Sequence, residues 1–110
     1  MTDDIIEFRT YRIAEGRRAD FDEHFQTNAL PHFERMGIRI GAFWDHPDDP
    51  ETVSYTVRWA PDEDPAARWA AGAQSPPWVE AKERVNAVGP LVLSITSVFL
   101  APRPDMIDRV

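Results

Sequence analysis

The arrangement of the chain follows from residues 5–13, which read IIEFRTYRI. β-Branched and aromatic residues dominate this stretch, as is typical of a β-strand. Apolar side chains occur at both odd and even positions, so both faces of the strand need to be covered. Such a strand lies at the centre of a sheet, or its sheet packs against a second layer or a second subunit.

The composition is that of a folded globular protein. The 110 residues are 43% hydrophobic and include 4 Trp, 2 Tyr and 6 Phe, which excludes a disordered chain. This length predicts a single domain, residues 1–110, with a core large enough to stand alone. There is no cysteine, so disulfides, thiolate metal sites and a cysteine nucleophile are excluded.

The charge balance restricts the partners. Nineteen acidic residues outnumber twelve basic ones, giving a net charge of −7. We therefore predict no nucleic-acid partner and no adsorption to an anionic membrane, because no basic stripe is present to bind phosphates. The first residues are acidic where a secretory signal needs positive charge, and no segment approaches the roughly 20 apolar residues of a membrane span. We expect a soluble, cytoplasmic protein.

Residues 17–36 change to helical periodicity. At 100° per residue, their apolar side chains fall within one arc of about 120°, which predicts an amphipathic helix packed on a sheet. Pro31 lies inside this helix and removes one hydrogen bond, so we expect a kink near residues 29–30. Gly37 ends the helix. The arc contains Phe21, Phe25, Ala29, Phe33 and Met36.

A β-hairpin follows the helix. Residues 38–45 and 52–59 alternate between polar and apolar positions and predict the second and third strands. Residues 46–51 are rich in Pro and Asp and predict the connecting loop. Alternation places Ile40 and Trp44 on one face of the second strand, with Phe43 on the opposite face.

Two helices and a last strand complete the chain. Residues 64–65 and 75–76 each combine an N-cap with a proline at the first helical position, which predicts two helices. Residues 89–90, Gly-Pro, stop the second of these helices. Residues 91–100 are apolar on both faces apart from three hydroxyl residues, and they predict the fourth strand.

The predicted order βαββαβ indicates an α+β, ferredoxin-like fold. It is a four-stranded antiparallel sheet with the helices on one face and strands one and three in the centre. The other face is bare and still carries apolar residues, which exceeds what a monomer normally exposes. We therefore expect a homodimer in which two sheets face each other as a dimeric α/β-barrel.

Several segments of the chain carry a resemblance to a known family. They are Glu7-Phe8-Arg9-Thr10-Tyr11, the Gly16 turn, residues 41–44 (GAFW), residues 57–59 (VRW), Arg68 and residues 75–78 (SPPW). In their order and spacing they resemble NIPSNAP domains, over residues 5–102. The resemblance implies a ferredoxin-like dimeric α/β-barrel, but it supplies no reaction or catalytic residues that could be transferred. The wider barrel superfamily includes cofactor-free monooxygenases, isomerases and haem-binding enzymes, and the fold alone does not choose among them.

His32 is the candidate general base. It lies in the middle of the apolar arc with Asn28 beside it, and a polar pair on the face that meets the sheet suggests a cavity open to a small molecule. Alternatively, His32 is a buried histidine satisfied by a backbone carbonyl, or the Pro31 kink displaces it from the arc.

Arg9 and Tyr11 share a strand face with Glu7. Arg9 could bind a carboxylate or an enolate, with Tyr11 donating a hydrogen bond. Alternatively, the three residues form an ion-pair and hydrogen-bond network across the dimer barrel, because Glu7 already supplies the counter-charge of Arg9.

Trp44, Tyr55 and Trp59 are candidate ligand-binding residues. Together with Trp69 and Trp78, they could form the wall of an aromatic pocket for a planar apolar ligand. Aromatic side chains also fill cores and interfaces, and this alternative stays open.

No cofactor and no metal site is predicted. His24 and His32 are about 80° apart on a regular helix and do not form the i, i+4 pair of a metal site. The acidic loop at residues 46–51 matches no known cation-binding motif. The preferred hypothesis is a dimeric protein that binds a small apolar or aromatic ligand. The alternatives are a cofactor-independent monooxygenase or isomerase acting on an aromatic or polyketide-like substrate, and a structural or adaptor dimer without a ligand.

Overall fold

The structure, a computed structural model, describes residues 3–107. The predicted domain also includes residues 1, 2 and 108–110, which lie outside this range. The secondary-structure elements, in chain order, are β1 (Ile5–Ile13), α1 (Arg18–His24), a π-helical turn (Phe25–Ala29), α2 (Leu30–Arg35), β2 (Arg39–His46), β3 (Asp49–Trp59), α3 (Pro65–Gly72), α4 (Pro76–Val85) and β4 (Val92–Leu100).

The four strands form one antiparallel sheet in the order β2-β3-β1-β4. The predicted α+β, ferredoxin-like fold is confirmed, with strands one and three in the centre. In the middle of the sheet Arg9 pairs with Tyr55 on one side and with Ser97 on the other. The helices cover the face to which these three residues point, and the hydrophobic core lies between that face and the helices.

The first helical segment is continuous from residue 18 to residue 35 but contains one wider turn. The backbone N–H of Leu30 donates to the carbonyl of Phe25, five residues back, which defines a π-helical turn. Pro31 follows directly. A proline ring collides with the carbonyl four residues before it in a regular helix, and a wider turn at that place relieves this conflict. The predicted irregularity at residues 29–30 is therefore a π-turn.

A β-bulge in β2 changes which side chains share a face. Ile40 pairs with Val57 and Phe43 pairs with Tyr55, so β2 has one more residue than β3 between these pairs. As a result Ile40 and Phe43 both face the helices, whereas Trp44 points to the opposite face. The prediction that Ile40 and Trp44 share a face is wrong, because simple alternation does not count the extra residue.

The hairpin loop is shorter than predicted. β2 extends to His46 and β3 begins at Asp49, so the connection is a two-residue turn, Pro47-Asp48, rather than a loop over residues 46–51. The Asp49 carboxylate accepts hydrogen bonds from the backbone N–H of Glu51 and the hydroxyl of Thr52. These local bonds hold the start of β3 in place without a longer loop.

The two later helices begin where the sequence predicts. Asp64 is the N-cap of α3, and its carboxylate accepts a hydrogen bond from the backbone N–H of Ala67 at 3.2 Å. Ser75 precedes α4, which starts with Pro76. Both helices therefore start at a Ser/Asp–Pro boundary, and together they place Trp69 and Trp78 above the sheet.

The face of the sheet opposite the helices is not covered by any described part of the chain. Its centre is polar but internally bonded: Ser54 is fully buried, with its hydroxyl 2.8 Å from His46 Nε2 and 2.9 Å from the Thr10 hydroxyl. Apolar side chains surround this centre, and Trp44 is 44% exposed. β4 exposes apolar side chains on both of its faces, namely Leu93, Ile95, Val98, Phe99 and Leu100.

No helix within residues 3–107 has the length and apolar character needed to cross a membrane.

Candidate functional site

The centre of the helix-covered sheet face is a buried polar network around Glu7. The Glu7 side chain is 2% exposed. One of its oxygens accepts hydrogen bonds from the indole nitrogens of Trp59 and Trp69, at 3.0 and 2.9 Å. The other accepts from the Ser97 hydroxyl at 2.7 Å and from Arg9 at 3.0 Å. Burial alone would raise the pKa of Glu7, but these four donors lower it below its usual value.

Arg9 is fully engaged within the same network. Its Nε donates to the hydroxyl of Tyr55, and its two terminal nitrogens donate to Glu7 and to the hydroxyl of Tyr11. The guanidinium also lies over the Trp69 ring, 4.1 Å from its centroid. Arg9 and Tyr11, which we predicted as ligand-binding residues, therefore belong to a network within one chain. In this network Arg9 forms the ion pair with Glu7, and Tyr11 accepts a hydrogen bond from Arg9. The network lies on the helix-covered face, away from the uncovered face through which a barrel would form.

A chamber of about 440 Å³ lies beside this network. It is bounded by the first helical segment, by α4 and by strands β1 and β4. The lining is mainly aromatic and aliphatic, and the aromatic side chains come chiefly from the helices. The residues of the lining on which the argument rests are Tyr11, Phe21, Phe25, Phe33, Trp78, Ile95, His24 and Lys82.

His24 is the histidine of this chamber. It is 8% exposed, and its Nδ1 lies 3.0 Å from the Asn28 amide nitrogen. An amide nitrogen only donates, so Nδ1 accepts this bond and the proton of the neutral imidazole lies on Nε2. Burial lowers the pKa of His24, and the positive charges of Lys82 and Arg84 lower it further. Asn28, which we predicted beside His32, is thus bonded to His24 instead.

The π-turn explains why the helical wheel did not identify His24. A π-turn accommodates one extra residue, so His24 and His32 lie about 20° apart around the helix instead of the 80° of a regular helix. Both imidazoles consequently stack on the same indole, that of Trp78. Pro31 was the available signal in the sequence, because it marks the place where a regular helix is disfavoured.

His32 lines a second, smaller chamber of about 240 Å³, together with Arg9 and Tyr11. It is 3% exposed and forms a hydrogen bond with the backbone of Gly72. Burial lowers the pKa of His32, as does the nearby charge of Arg35, while the bond to Gly72 raises it in part. The structure thus places His32, Arg9 and Tyr11 in the lining of one chamber, and it also gives His32 the backbone partner that the alternative interpretation expects.

The remaining aromatic candidates do not meet in one pocket. Tyr55 and Trp59 are 0% and 1% exposed, and each is a core residue with a hydrogen bond to the Glu7–Arg9 network. Trp44 lies on the opposite face of the sheet, where its ring packs 6.0 Å from that of Phe8. Trp78, from α4, is the tryptophan that the two chambers share.

Lys82 was not singled out from the sequence. It lies on α4, lines both chambers and is exposed. It is also the only lysine of the chain. Within residues 3–107 no group of three or more His, Asp or Glu side chains is placed to hold a metal ion.

Comparison with known proteins agrees with this architecture. A sequence profile of the NIPSNAP family matches residues 6–105. The chain belongs to the NIPSNAP family. No curated protein matches it in sequence. A NIPSNAP protein from Agrobacterium tumefaciens has a similar structure, with a TM-score of 0.76 at 20% identity over 91% of this chain and 93% of the other.

Two further solved structures are also similar to this chain. An uncharacterised NIPSNAP domain protein from Burkholderia xenovorans is 26% identical over 90% of this chain and 94% of its own, with a TM-score of 0.69. SnoaB, a cofactor-independent oxygenase from Streptomyces nogalater, has a TM-score of 0.61 at 14% identity, covering 93% and 95% of the two chains. This NIPSNAP chain therefore has the same fold as an oxygenase. An identity of 14% shows a similarity of fold alone.

Proposed function

We propose that this NIPSNAP chain binds a small apolar or aromatic molecule in the chamber between α4, the first helical segment and the β1–β4 edge of the sheet. The observation that supports this function is the chamber itself, whose volume of about 440 Å³ falls within the range of small-molecule sites. Its lining combines many aromatic side chains with a few polar groups, as is typical of a ligand pocket.

The test uses a neutral apolar dye, N-phenyl-1-naphthylamine, whose fluorescence rises when it enters an apolar site. The protein should bind the dye saturably, and Ile95→Trp should weaken binding at least tenfold, because Ile95 lines both chambers and is 48% exposed. The matched control is Val88→Trp, at a residue that is 86% exposed and outside the chamber lining. Equal binding by both variants, or no saturable binding, would refute the site.

We further propose that the chain forms a homodimer through the uncovered face of the sheet. This face presents Trp44, Val98 and Leu100, which are 44–54% exposed, around a hydroxyl centre whose bonds are already made. A second copy that presents the same apolar surface is the partner that would cover this patch.

Sedimentation measures the assembly directly. The wild-type chain should sediment as a dimer at micromolar concentration, Val98→Glu should be monomeric, and Val88→Glu should remain dimeric. A wild-type monomer under these conditions would refute the dimer. A dimer that binds no dye would instead support the adaptor function, in which the chain has no ligand.

The second candidate function is a cofactor-independent monooxygenase or isomerase acting on an aromatic or polyketide-like substrate. It is favoured by the smaller chamber, in which His32 could act as base while Arg9 or Tyr11 steadies an enolate-like anion. Binding is preferred because the polar atoms of Arg9 already have partners. Oxygen uptake with anthrone as substrate, lost in His32→Gln, would establish the enzyme. Uptake no faster than the uncatalysed rate would reject the monooxygenase.

A further inference from the structure

The two chambers have a one-sided charge distribution. The chain as a whole carries a net charge of −7, but neither chamber has an aspartate or glutamate in its lining. Lys82 and Arg9 are their cationic side chains. Arg9 is neutralised by Glu7 at 3.0 Å, so the charge that remains available to a ligand is that of Lys82.

Lys82 has no acidic partner within its own helix or across the cavity. The residues three and four positions away along α4 are Trp78, Val79, Val85 and Asn86, none of which is acidic, although such spacing is where helical ion pairs form. Among residues 3–107, no ion pair within 4.0 Å involves Lys82. Its ammonium is a positive charge without an acidic partner beside a mainly aromatic and aliphatic cavity.

We infer that the ligand of this chamber is an amphipathic monocarboxylate, whose carboxylate pairs with Lys82 while its apolar part occupies the aromatic lining. The inference rests on the proposed binding function and adds the chemical class of the ligand. One free cation matches one negative charge, and a charge-assisted pair is stronger beside an apolar wall than in water. The Nε2–H of His24 is a second donor in the same chamber.

Displacement of the bound neutral dye by decanoate and by 1-decanol tests the inference, because these two probes differ in the head group and share the chain length. Decanoate should displace the dye at a concentration at least tenfold lower than decanol. Lys82→Met keeps an apolar stem of similar length and should remove this tenfold preference. Arg84→Met, on the same helix but outside the chamber lining, should retain it.

The lone lysine allows a second measurement on the unmodified protein. Acetic anhydride acetylates Lys82 and the terminal amine, and intact-mass and peptide analysis separates the two products. Decanoate should slow acetylation of Lys82 severalfold relative to the terminal amine, whereas decanol should not.

The outcomes separate the two proposals. Equal displacement by decanoate and decanol would overturn the carboxylate assignment and leave the apolar binding site in place. Failure of the dye itself to bind would overturn the proposed function. A preference for decanoate that survives in Lys82→Met would also overturn the assignment, because another group would then be holding the charge.

Discussion

The imidazole of His32 lies parallel to the indole of Trp78, with 4.8 Å between the ring centroids and 3° between the ring planes. His24, two helical turns earlier, stacks on the same indole at 5.3 Å. One tryptophan of α4 is therefore held by two histidines of the first helical segment. Because both histidines are buried and next to positive charges, their pKa values are lowered and their neutral forms are favoured.

The first prediction is a loss of stability on acidification. Burial lowers the pKa of both His24 and His32 in the folded state, as do Lys82 and Arg84 for His24 and Arg35 for His32. In the unfolded chain their pKa is about 6.5. Below that pH the unfolded state binds more protons than the folded state, so the free energy of unfolding falls as the pH decreases through 6.5 towards the folded-state values.

Chemical denaturation between pH 7.5 and pH 5 measures this slope. The double variant His24→Gln/His32→Gln should be less stable at pH 7.5 but should have a flatter pH dependence than the wild type. The carboxyl groups interfere little in this range, because their unfolded-state pKa values are near 4. A double variant with the wild-type slope would show that these histidines do not carry the pH dependence.

The second prediction concerns the carboxylate of Glu7. Glu7→Gln replaces one carboxylate oxygen by an NH2 group, which donates hydrogen bonds and cannot accept them. Depending on the orientation of the amide, this group faces either the indole N–H groups of Trp59 and Trp69 or the donors of Ser97 and Arg9. Breaking a buried ion pair in this way costs about 3–5 kcal/mol. Urea denaturation at pH 7 should show a loss of stability of this size.

The control for Glu7 is an exposed ion pair at the other end of β1. Arg12 and Asp49 are 47% and 41% exposed, and exposed pairs contribute little to stability. Arg12→Gln should therefore be much less destabilising than Glu7→Gln. Similar losses in the two variants would mean that the network around Glu7 is not held as tightly as its distances indicate.

Regular patterns in the sequence were sufficient to predict the fold. The apolar and aromatic residues on both faces of β1 indicated a central strand, and β1 lies between β3 and β4. The Asp64–Pro65 boundary gave the start of α3 because an N-cap and a first-turn proline act locally. Such signals need no knowledge of distant parts of the chain.

The site was harder to predict, because it depends on two departures from regular geometry. Each one is a single extra residue. The bulge in β2 moves Trp44 to the face opposite Tyr55, and the π-turn rotates His24 into line with His32. Periodicity assumes a constant number of residues per turn or per strand pair. One extra residue therefore reverses the predicted face of the residues beyond it in a strand and rotates it by about 100° in a helix. Lys82 had no signal of this kind, because its proposed role depends on the absence of acidic residues from the lining of a cavity built by distant elements.

The third prediction tests the extra residue in the helix. Thr27 is an exposed residue of the π-turn, and deleting it should convert this turn into a regular one. Phe21 and His24 would then keep their orientation relative to Phe33, because seven residues of a regular helix also bring His24 within about 20° of His32. We expect the deletion variant to unfold cooperatively in urea with a loss of stability of about 3 kcal/mol, because Pro31 would again meet the carbonyl four residues before it.

Thr27→Ala is the control for the deletion, because it retains the length of the segment. It should change the free energy of unfolding by no more than about 0.5 kcal/mol, as is usual for exposed positions. A deletion variant that loses its cooperative transition would show that the deletion turns the apolar face away from the core, and that the π-turn does not hold the extra residue as described. A deletion variant as stable as Thr27→Ala would show that Pro31 does not need the wider turn.

The fourth prediction concerns the close approach of α3 to the end of α2. A Cβ atom at Gly72 would collide with the sulfur of Met36 and lie 3.2 Å from Nε2 of His32. The sulfur belongs to the flexible end of the Met36 side chain and can move aside. Gly72→Ala should therefore destabilise the protein by only about 1 kcal/mol, although alanine is the better helix former. In a Met36→Ala background the space is free, so the same substitution should become neutral or stabilising.

A double-mutant cycle by urea denaturation measures this coupling between Gly72 and Met36, which should be at least about 1 kcal/mol. Ala70→Gly, at an exposed position of α3, is the control that reports helix propensity alone. An equal cost of Gly72→Ala in both backgrounds would show that the contact with Met36 does not require glycine at this position.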